Sequence, residues 1–204
     1  MRHVYRALPL LMLLACSSFM DVEKFELLAP FEELPLSTIT TAAPYDLWEL
    51  RAYRVSGTHA VIAGGGTVSR SAVPPALLAE FDDTESLSGF DPGCLPSTCY
   101  KYFVTLKGAV IDTWTSIQEV RAFLGTIDSR VEAAVMAKAH GYYWEAPTES
   151  AGIRDIDGEY ELVVLDLVEF CEPVQIDRFL LRISTTGEVR ILKQQTWDVS
   201  GGCI

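Results

Sequence analysis

The sequence predicts an α+β fold, and three features of the chain carry this prediction. Two pairs of segments rich in aromatic and branched residues are joined by short turns, as in antiparallel hairpins. Two capped amphipathic segments in the middle of the chain predict a pair of short helices. Three long segments near the C-terminus predict a three-stranded antiparallel meander. Strands and helices that are grouped along the chain in this way are typical of α+β domains.

The strands of the first half are predicted as hairpins. Residues 46–56 form the first strand and residues 59–63 its partner, and the run Gly64-Gly65-Gly66 is interpreted as a flexible turn. Pro74 marks the start of a short helix over residues 74–81, and residues 82–96 read as a loop. The second hairpin, over residues 100–106 and 109–113, turns at Lys107-Gly108.

The two central helices are predicted from their ends. Ser116 and Glu119 have the spacing of a capping box, and Gly125 stops this first helix. Asp128 is predicted to cap a second helix over residues 129–140, which ends at Gly141.

The meander suggests how four of the five cysteines pair. Its strands are residues 159–170, 176–184 and 188–197, so the strand directions place Cys171 and Cys203 at the same end. Cys94 and Cys99 would close a local loop. These four cysteines are an even number, which indicates disulfide bonds if the chain is exported. Among the three possible pairings, we favour Cys94–Cys99 and Cys171–Cys203. A zinc site is a weaker alternative because C-x4-C is a loose spacing.

The N-terminus has the pattern of an export signal. Arg2 and Arg6 precede an apolar run over residues 7–14, which is too short to span a bilayer. The run ends in Leu13-Leu14-Ala15-Cys16, which resembles the lipobox of bacterial lipoproteins. This resemblance implies cleavage before Cys16 and acylation of that cysteine, which would anchor the chain to a membrane. The alternative is an ordinary secretory signal that leaves Cys16 as an unpaired thiol.

These features divide the chain into three parts. Residues 1–15 are the lipoprotein signal peptide, residues 16–45 the lipidated N-terminus and a tether, and residues 46–204 a single disulfide-stabilised domain. Ser17 and Ser18 follow the cysteine without an acidic residue, which resembles the default sorting of Gram-negative lipoproteins to the outer membrane.

The region from Tyr100 to the C-terminus resembles a group of uncharacterised bacterial lipoproteins. The resemblance covers roughly half the chain, implies an envelope location and brings no site residues with it. Its matching segments are Thr113-Trp114-Thr115, Arg121-Ala122-Phe123-Leu124, Gly125-Thr126-Ile127-Asp128, His140-Gly141-Tyr142, Arg178-Phe179-Leu180-Leu181-Arg182 and Gly202-Cys203-Ile204.

The composition and motifs exclude more functions than they support. The formal net charge is −12, and it becomes −14 when residues 1–15, with Arg2 and Arg6, are removed. Such an acidic chain repels phosphate backbones and anionic membrane faces, so we expect no nucleic-acid partner. The sequence has no G-x-S-x-G motif, and the two histidines of the mature chain, His59 and His140, have no identifiable catalytic partner.

The remaining motifs have common structural explanations. The series Asp155, Asp157, Glu159 and Glu161 could collect around calcium, but it departs from the EF-hand spacing and is typical of a solvated turn. The aromatic run Tyr142-Tyr143-Trp144 is more often core packing than a ligand platform. The sequence therefore predicts no catalytic residue, metal ligand or cofactor.

Three functional hypotheses follow. The first is a membrane-anchored binding module that contacts another envelope protein or a ligand. The alternatives are a hydrolase of cell-wall or extracellular polymers, which requires a cleft that gathers His59, His140 or a close pair of acids, and a passive structural lipoprotein.

Overall fold

A computed structural model describes residues 24–92, 98–144 and 151–202. These residues form an α+β fold with three helices and nine strands in two antiparallel sheets. The five-stranded sheet has the order β1-β6-β7-β8-β9, and the four-stranded sheet has the order β3-β2-β4-β5. The elements are β1 (Glu26–Leu27), β2 (Leu47–Arg54), β3 (His59–Gly65), α1 (Pro75–Asp83), β4 (Thr98–Lys107), β5 (Val110–Trp114), α2 (Ile117–Leu124), α3 (Arg130–Ala139), β6 (Gly152–Ile156), β7 (Glu159–Phe170), β8 (Val174–Ile183) and β9 (Val189–Ser200).

The predicted hairpins and meander are confirmed, and the two hairpins belong to one sheet. β2 pairs with β3 on one side and with β4 on the other, so that the hairpins β2-β3 and β4-β5 form the four-stranded sheet. β7, β8 and β9 form the predicted meander. β6 was not predicted, and it adds a fourth strand beside β7.

Both faces of the four-stranded sheet are covered, because its side chains alternate between two cores. Trp48, Leu50 and Phe103 enter a large central core, which α2, α3 and the five-stranded sheet complete. The opposite face packs on α1, where Phe81 is fully buried. That second core also contains Leu47, Val73, Tyr102, Val104 and Leu106.

The assignment of residues 16–45 to a tether is wrong for residues 24–45, which belong to the folded domain. Leu28, Phe31 and Leu36 are buried in the central core. β1 pairs with β6 through Glu26 and Leu27. Short 3-10 turns accommodate the prolines that made this segment look like a linker. Burial of its apolar side chains and pairing with β6, neither of which is local in sequence, give this segment its structure.

The helix caps correct one prediction and confirm another. Ser116 and Glu119 form the predicted capping box of α2. The N-cap of α3 is Ser129 rather than Asp128, and its capping box is closed by Glu132. Glu132 is fully buried, and its other oxygen accepts a hydrogen bond of 2.8 Å from the backbone N–H of Thr40. The cap of α3 therefore also holds the N-terminal segment.

The three glycines are not a flexible turn, because Gly64 and Gly65 end β3 and pair with β2. A Cβ atom on Gly65 would lie 2.7 Å from the indole Nε1 of Trp48. Glycine is required here because the strand passes directly over the tryptophan. None of the three helices in the described ranges is both long and apolar enough to cross a membrane.

Candidate functional site: the basic face of the five-stranded sheet

The predicted cysteine sites are only partly within the described residues. Cys16, Cys94 and Cys203 lie outside them. Cys99, in β4, and Cys171, between β7 and β8, are disulfide-bonded. The backbone N–H of Glu172 donates a hydrogen bond of 2.9 Å to the carbonyl of Gly202, so the residues next to Cys171 and Cys203 are neighbours. The pairing of all four cysteines stays a prediction.

The two histidines lie in different places and have different surroundings. His59 begins β3, and its Nδ1 is 3.7 Å from Oε1 of Glu85. His140 is the C-cap of α3, and its backbone N–H donates hydrogen bonds to the carbonyls of Met136 and Ala137. Desolvation lowers the pKa of His140, which favours a neutral ring at the helix end.

The acidic series Asp155, Asp157, Glu159 and Glu161 runs from the end of β6 to the start of β7. Three of its members form ion pairs with arginines. Asp155 Oδ2 lies 2.6 Å from a terminal nitrogen of Arg130, and this bond lowers the pKa of Asp155. Glu159 and Glu161 likewise lie beside arginines of the five-stranded sheet. Among the described residues, no group of three or more His, Cys, Asp or Glu side chains is arranged to hold a metal ion.

A close pair of acids lies at the directly opposed positions Asp166 and Asp177 of β7 and β8. Burial, and then the charge of Asp177, raise the pKa of Asp166. Both oxygens of Asp177 accept hydrogen bonds, at 2.7 Å from Gln175 and at 2.6 Å from Gln194. Neither acid and neither histidine is among the residues that line the grooves described at α2, at β2 and β3, and at residues 37–48.

The aromatic run after α3 packs in the core and shelters two lysines. Trp144 is buried, and its indole N–H donates a hydrogen bond of 2.8 Å to the carbonyl of Ala29. Beside it, the Nζ atoms of Lys101 and Lys138 lie 2.6 Å and 3.3 Å from the same oxygen of Asp91. Burial lowers the pKa of Lys138, although Asp91 opposes this effect. In this cluster two lysines therefore share one aspartate, and burial alters the pKa of one of them.

The strongest candidate for a binding surface is the face of the five-stranded sheet turned away from the central core, here called the outer face. Because side chains alternate along a strand, the outer face carries the residues of β7 and β8 that do not enter the core. The register aligns these residues in three rows across the sheet. The rows are Arg154–Glu161–Arg182–Arg190, then Gly152–Val163–Leu180–Lys193, then Leu165–Arg178–Gln195.

The first row is a network of charges around one buried carboxylate. Glu161 is almost fully buried and lies between Arg154 and Arg182. Burial alone would raise the pKa of Glu161, but hydrogen bonds from the two arginines outweigh it and lower the pKa. Glu159 joins Arg182 and Arg190. These arginines are therefore largely neutralised by the protein itself.

Arg178, in the third row, has no such neutralisation. Its guanidinium carbon lies 3.9 Å from the ring centre of Trp197, and partial burial lowers its pKa. Its Nε is buried without a hydrogen-bond partner, and no ion pair joins Arg178 to the described residues. An arginine keeps its charge in proteins, so this planar group with unused N–H donors is suited to bind a carboxylate or phosphate.

A β-bulge produces the stacking of Trp197 on Arg178. Asp177 pairs with Thr196 and Ile176 pairs with Asp198, so Trp197 is the extra residue of β9. Bulges redirect side chains and also interrupt the row of free backbone groups at a sheet edge. A second bulge at Leu192 interrupts the same edge strand. The geometry of β9 therefore disfavours the addition of another strand at this edge of the five-stranded sheet.

The charge of the outer face is opposite to that of the chain. The face carries five cations against three carboxylates, a net charge of +2, on a chain whose formal net charge is −12. The cations are Arg154, Arg178, Arg182, Arg190 and Lys193, and the carboxylates are those of Glu159, Glu161 and Asp198. The overall charge therefore fails to predict the local field.

Comparison with known proteins brings no further information, because no protein family, curated protein or solved structure matches this chain.

Sequence reasoning missed this surface although one signal was present. Arg178 and Arg182 lie four positions apart, and strand residues at that spacing share a face. The bulge that brings Trp197 to Arg178 has no sequence signature, so this contact required the structure.

Proposed function

We propose that this chain is an envelope lipoprotein, acylated on Cys16, whose folded domain is a binding module with an anion site at Arg178. The arrangement of charge, apolar run and cysteine in residues 1–16 supports the anchor. The observation that carries the binding site is the guanidinium of Arg178, which is stacked on Trp197 and has no carboxylate partner among the described residues.

The chemistry of the site favours a ligand with a carboxylate or phosphate group. A guanidinium places parallel N–H donors opposite two oxygens, and stacking on an aromatic ring fixes its plane before the ligand arrives. Partial burial of Arg178 strengthens its interaction with an anion, because less solvent screens it. A carboxylate or phosphate would also supply the hydrogen-bond acceptor that Nε of Arg178 lacks.

The anchor is tested by growing cells with an alkyne-bearing fatty acid and by mass spectrometry of the purified chain. The mature chain should begin at Cys16 and carry the label, and a Cys16→Ser variant should carry none. An unmodified Cys16 in the mature chain would refute the anchor.

The anion site is tested by titrating inorganic phosphate and glycerol 3-phosphate into the protein and following the side-chain N–H signals of 15N-labelled arginine. We expect the signal of Arg178 to shift saturably, and Arg178→Gln to weaken binding by about tenfold or more, or roughly 1.4 kcal/mol. Arg54→Gln is the matched control, because Arg54 is exposed on the other sheet. Equal affinities for the wild type and both variants would refute the site.

A further inference from the structure

The first described residues lie at the edge of the outer face, where β1 pairs with β6. Phe25 lies over Gly152, so closely that a Cβ atom added to this glycine would be 2.6 Å from the Cβ of Phe25. The guanidinium carbon of Arg154 is 4.3 Å from the centre of the Phe25 ring. Both Gly152 and Arg154 belong to the rows of the outer face. The chain therefore enters the folded domain on this side.

The distance from this entry point to Cys16 is limited by the chain. Nine peptide units separate Cys16 from Phe25, and they span at most about 30 Å when fully extended. A lipid on Cys16 would thus hold the outer face within about the diameter of a small domain from the bilayer surface. The opposite side of the molecule, which carries α1, lies beyond both sheets and the central core.

The local charge makes contact of the outer face with an anionic surface favourable in spite of the acidic chain. Salt screens charges that lie more than about 8 Å from the surface, so acids elsewhere on the domain contribute little. Each basic side chain that approaches anionic headgroups strengthens the attraction to them. An anionic surface that contacts the outer face therefore meets a local net charge of +2 rather than the net charge of the whole chain.

Exposed apolar side chains accompany these cations. Trp197 is 45% exposed beside Arg178. Phe170 ends β7 and is 62% exposed. It pairs with Val174 of β8, which in turn pairs with Ser200 at the end of β9. Tryptophan has an apolar body and a polar N–H, and it is favoured at the level of lipid headgroups.

We propose that the outer face lies against the membrane that anchors the chain, with Arg178 on a lipid phosphate and Trp197 at the level of the headgroups. This inference rests on the proposed acylation of Cys16 and names the partner of the anion site. The bulged edge at Leu192 and Trp197 opposes strand addition by a protein, whereas a headgroup phosphate needs only a guanidinium and access from the face.

The test uses the mature protein, purified from cells that make the full precursor, in lipid nanodiscs whose acyl chains are brominated near the headgroup, because bromine quenches nearby tryptophan. The emission of Trp197 is the difference between the wild type and Trp197→Phe. We expect most of this emission to be quenched, and more strongly with phosphatidylglycerol in phosphatidylcholine than with phosphatidylcholine alone. Trp114→Phe is the control, because Trp114 lies on the other sheet, and the emission it isolates should stay unquenched.

The outcomes separate the two proposals. A protein that enters the nanodisc but shows equal quenching of Trp197 and Trp114, or none of Trp197, overturns the orientation and leaves the anchor intact. Equal quenching with and without phosphatidylglycerol overturns the role of anionic headgroups. A protein that does not enter the nanodisc refutes the anchor. Arg178→Gln should reduce the quenching of Trp197, and binding of phosphate in solution without any quenching would leave only the anion site.

Discussion

Replacement of Arg51 by methionine is predicted to destabilise the domain strongly. Arg51 is fully buried in β2, although it carries a charge. Its Nε donates a hydrogen bond of 2.9 Å to Glu49, and its terminal nitrogens donate to the carbonyls of Phe81, at 2.9 Å, and Thr84, at 2.6 Å. These carbonyls end α1, so Arg51 caps that helix from the sheet beneath it. The guanidinium carbon also lies 5.0 Å from the ring centre of Phe81.

The expected magnitude follows from what the substitution leaves behind. Methionine fills much of the volume, but Glu49 keeps only Arg70 as a cationic partner, and the carbonyls at the end of α1 lose their donors. Removal of one partner of a buried ion pair costs about 3–5 kcal/mol. In a domain of this size each kcal/mol lowers Tm by about 2–4 °C, so Tm should fall by roughly 6–20 °C.

Urea unfolding followed by circular dichroism measures this effect. Arg54→Met is the matched control, because Arg54 ends the same strand and is exposed; it should change the free energy of unfolding by less than about 0.5 kcal/mol. A loss below about 1 kcal/mol in Arg51→Met would refute the assigned role.

Three further predictions concern a helix cap, a buried lysine and the disulfide bonds. Backbone N–H groups of Thr115 and Ser116 hold the pKa of Glu119 at about 2, below the ordinary 4.5. The stability that this carboxylate adds is therefore present above pH 4.5 and is lost as the pH falls towards 2. Urea unfolding should show that Glu119→Gln is about 1 kcal/mol less stable than the wild type at pH 7 and no less stable near pH 2. Burial lowers the pKa of Lys138 from 10.5, so the charge of Lys138 costs stability below the folded-state pKa, and this cost disappears above pH 10.5. Thermal unfolding should show that Lys138→Met is at least as stable as the wild type at pH 7, with an advantage that shrinks as the pH approaches 10.5. A large loss of stability in Lys138→Met at pH 7 would contradict this. Peptide mapping without reduction should recover Cys171 joined to Cys203, and a peptide that joins Cys171 to any other cysteine would overturn the pairing.

The elements that the sequence predicted are those whose signals are local. The capping box of α2 needs only Ser116 and Glu119, which are three residues apart. The hairpin β4-β5 needs a Lys107-Gly108 turn between two segments of strand formers. The error at α3 was avoidable, because Ser129 and Glu132 have the same capping-box spacing as the pair that was recognised.

The elements that the sequence did not predict depend on distant partners. β1 is two residues long and exists because β6 pairs with it, more than one hundred positions later. The N-terminal segment was taken for a tether because its prolines exclude a long helix. It folds because a carboxylate on α3, that of Glu132, accepts the N–H of Thr40, and because Phe31 finds a place in the central core.

The sequence by itself determined the α+β class, the helical pair, the meander and the expectation of an anchored, disulfide-bonded envelope protein, because turn residues, caps and alternation act over a few positions. Only the tertiary structure decided where the charges lie. It gave Arg154 and Arg182 a shared carboxylate, left Arg178 stacked on Trp197, and placed the ring of Phe25 beside Arg154 on the same face. The physical reason is that the field at a surface depends on which side chains the register and the bulges bring together, and a net charge of −12 averages over all of them.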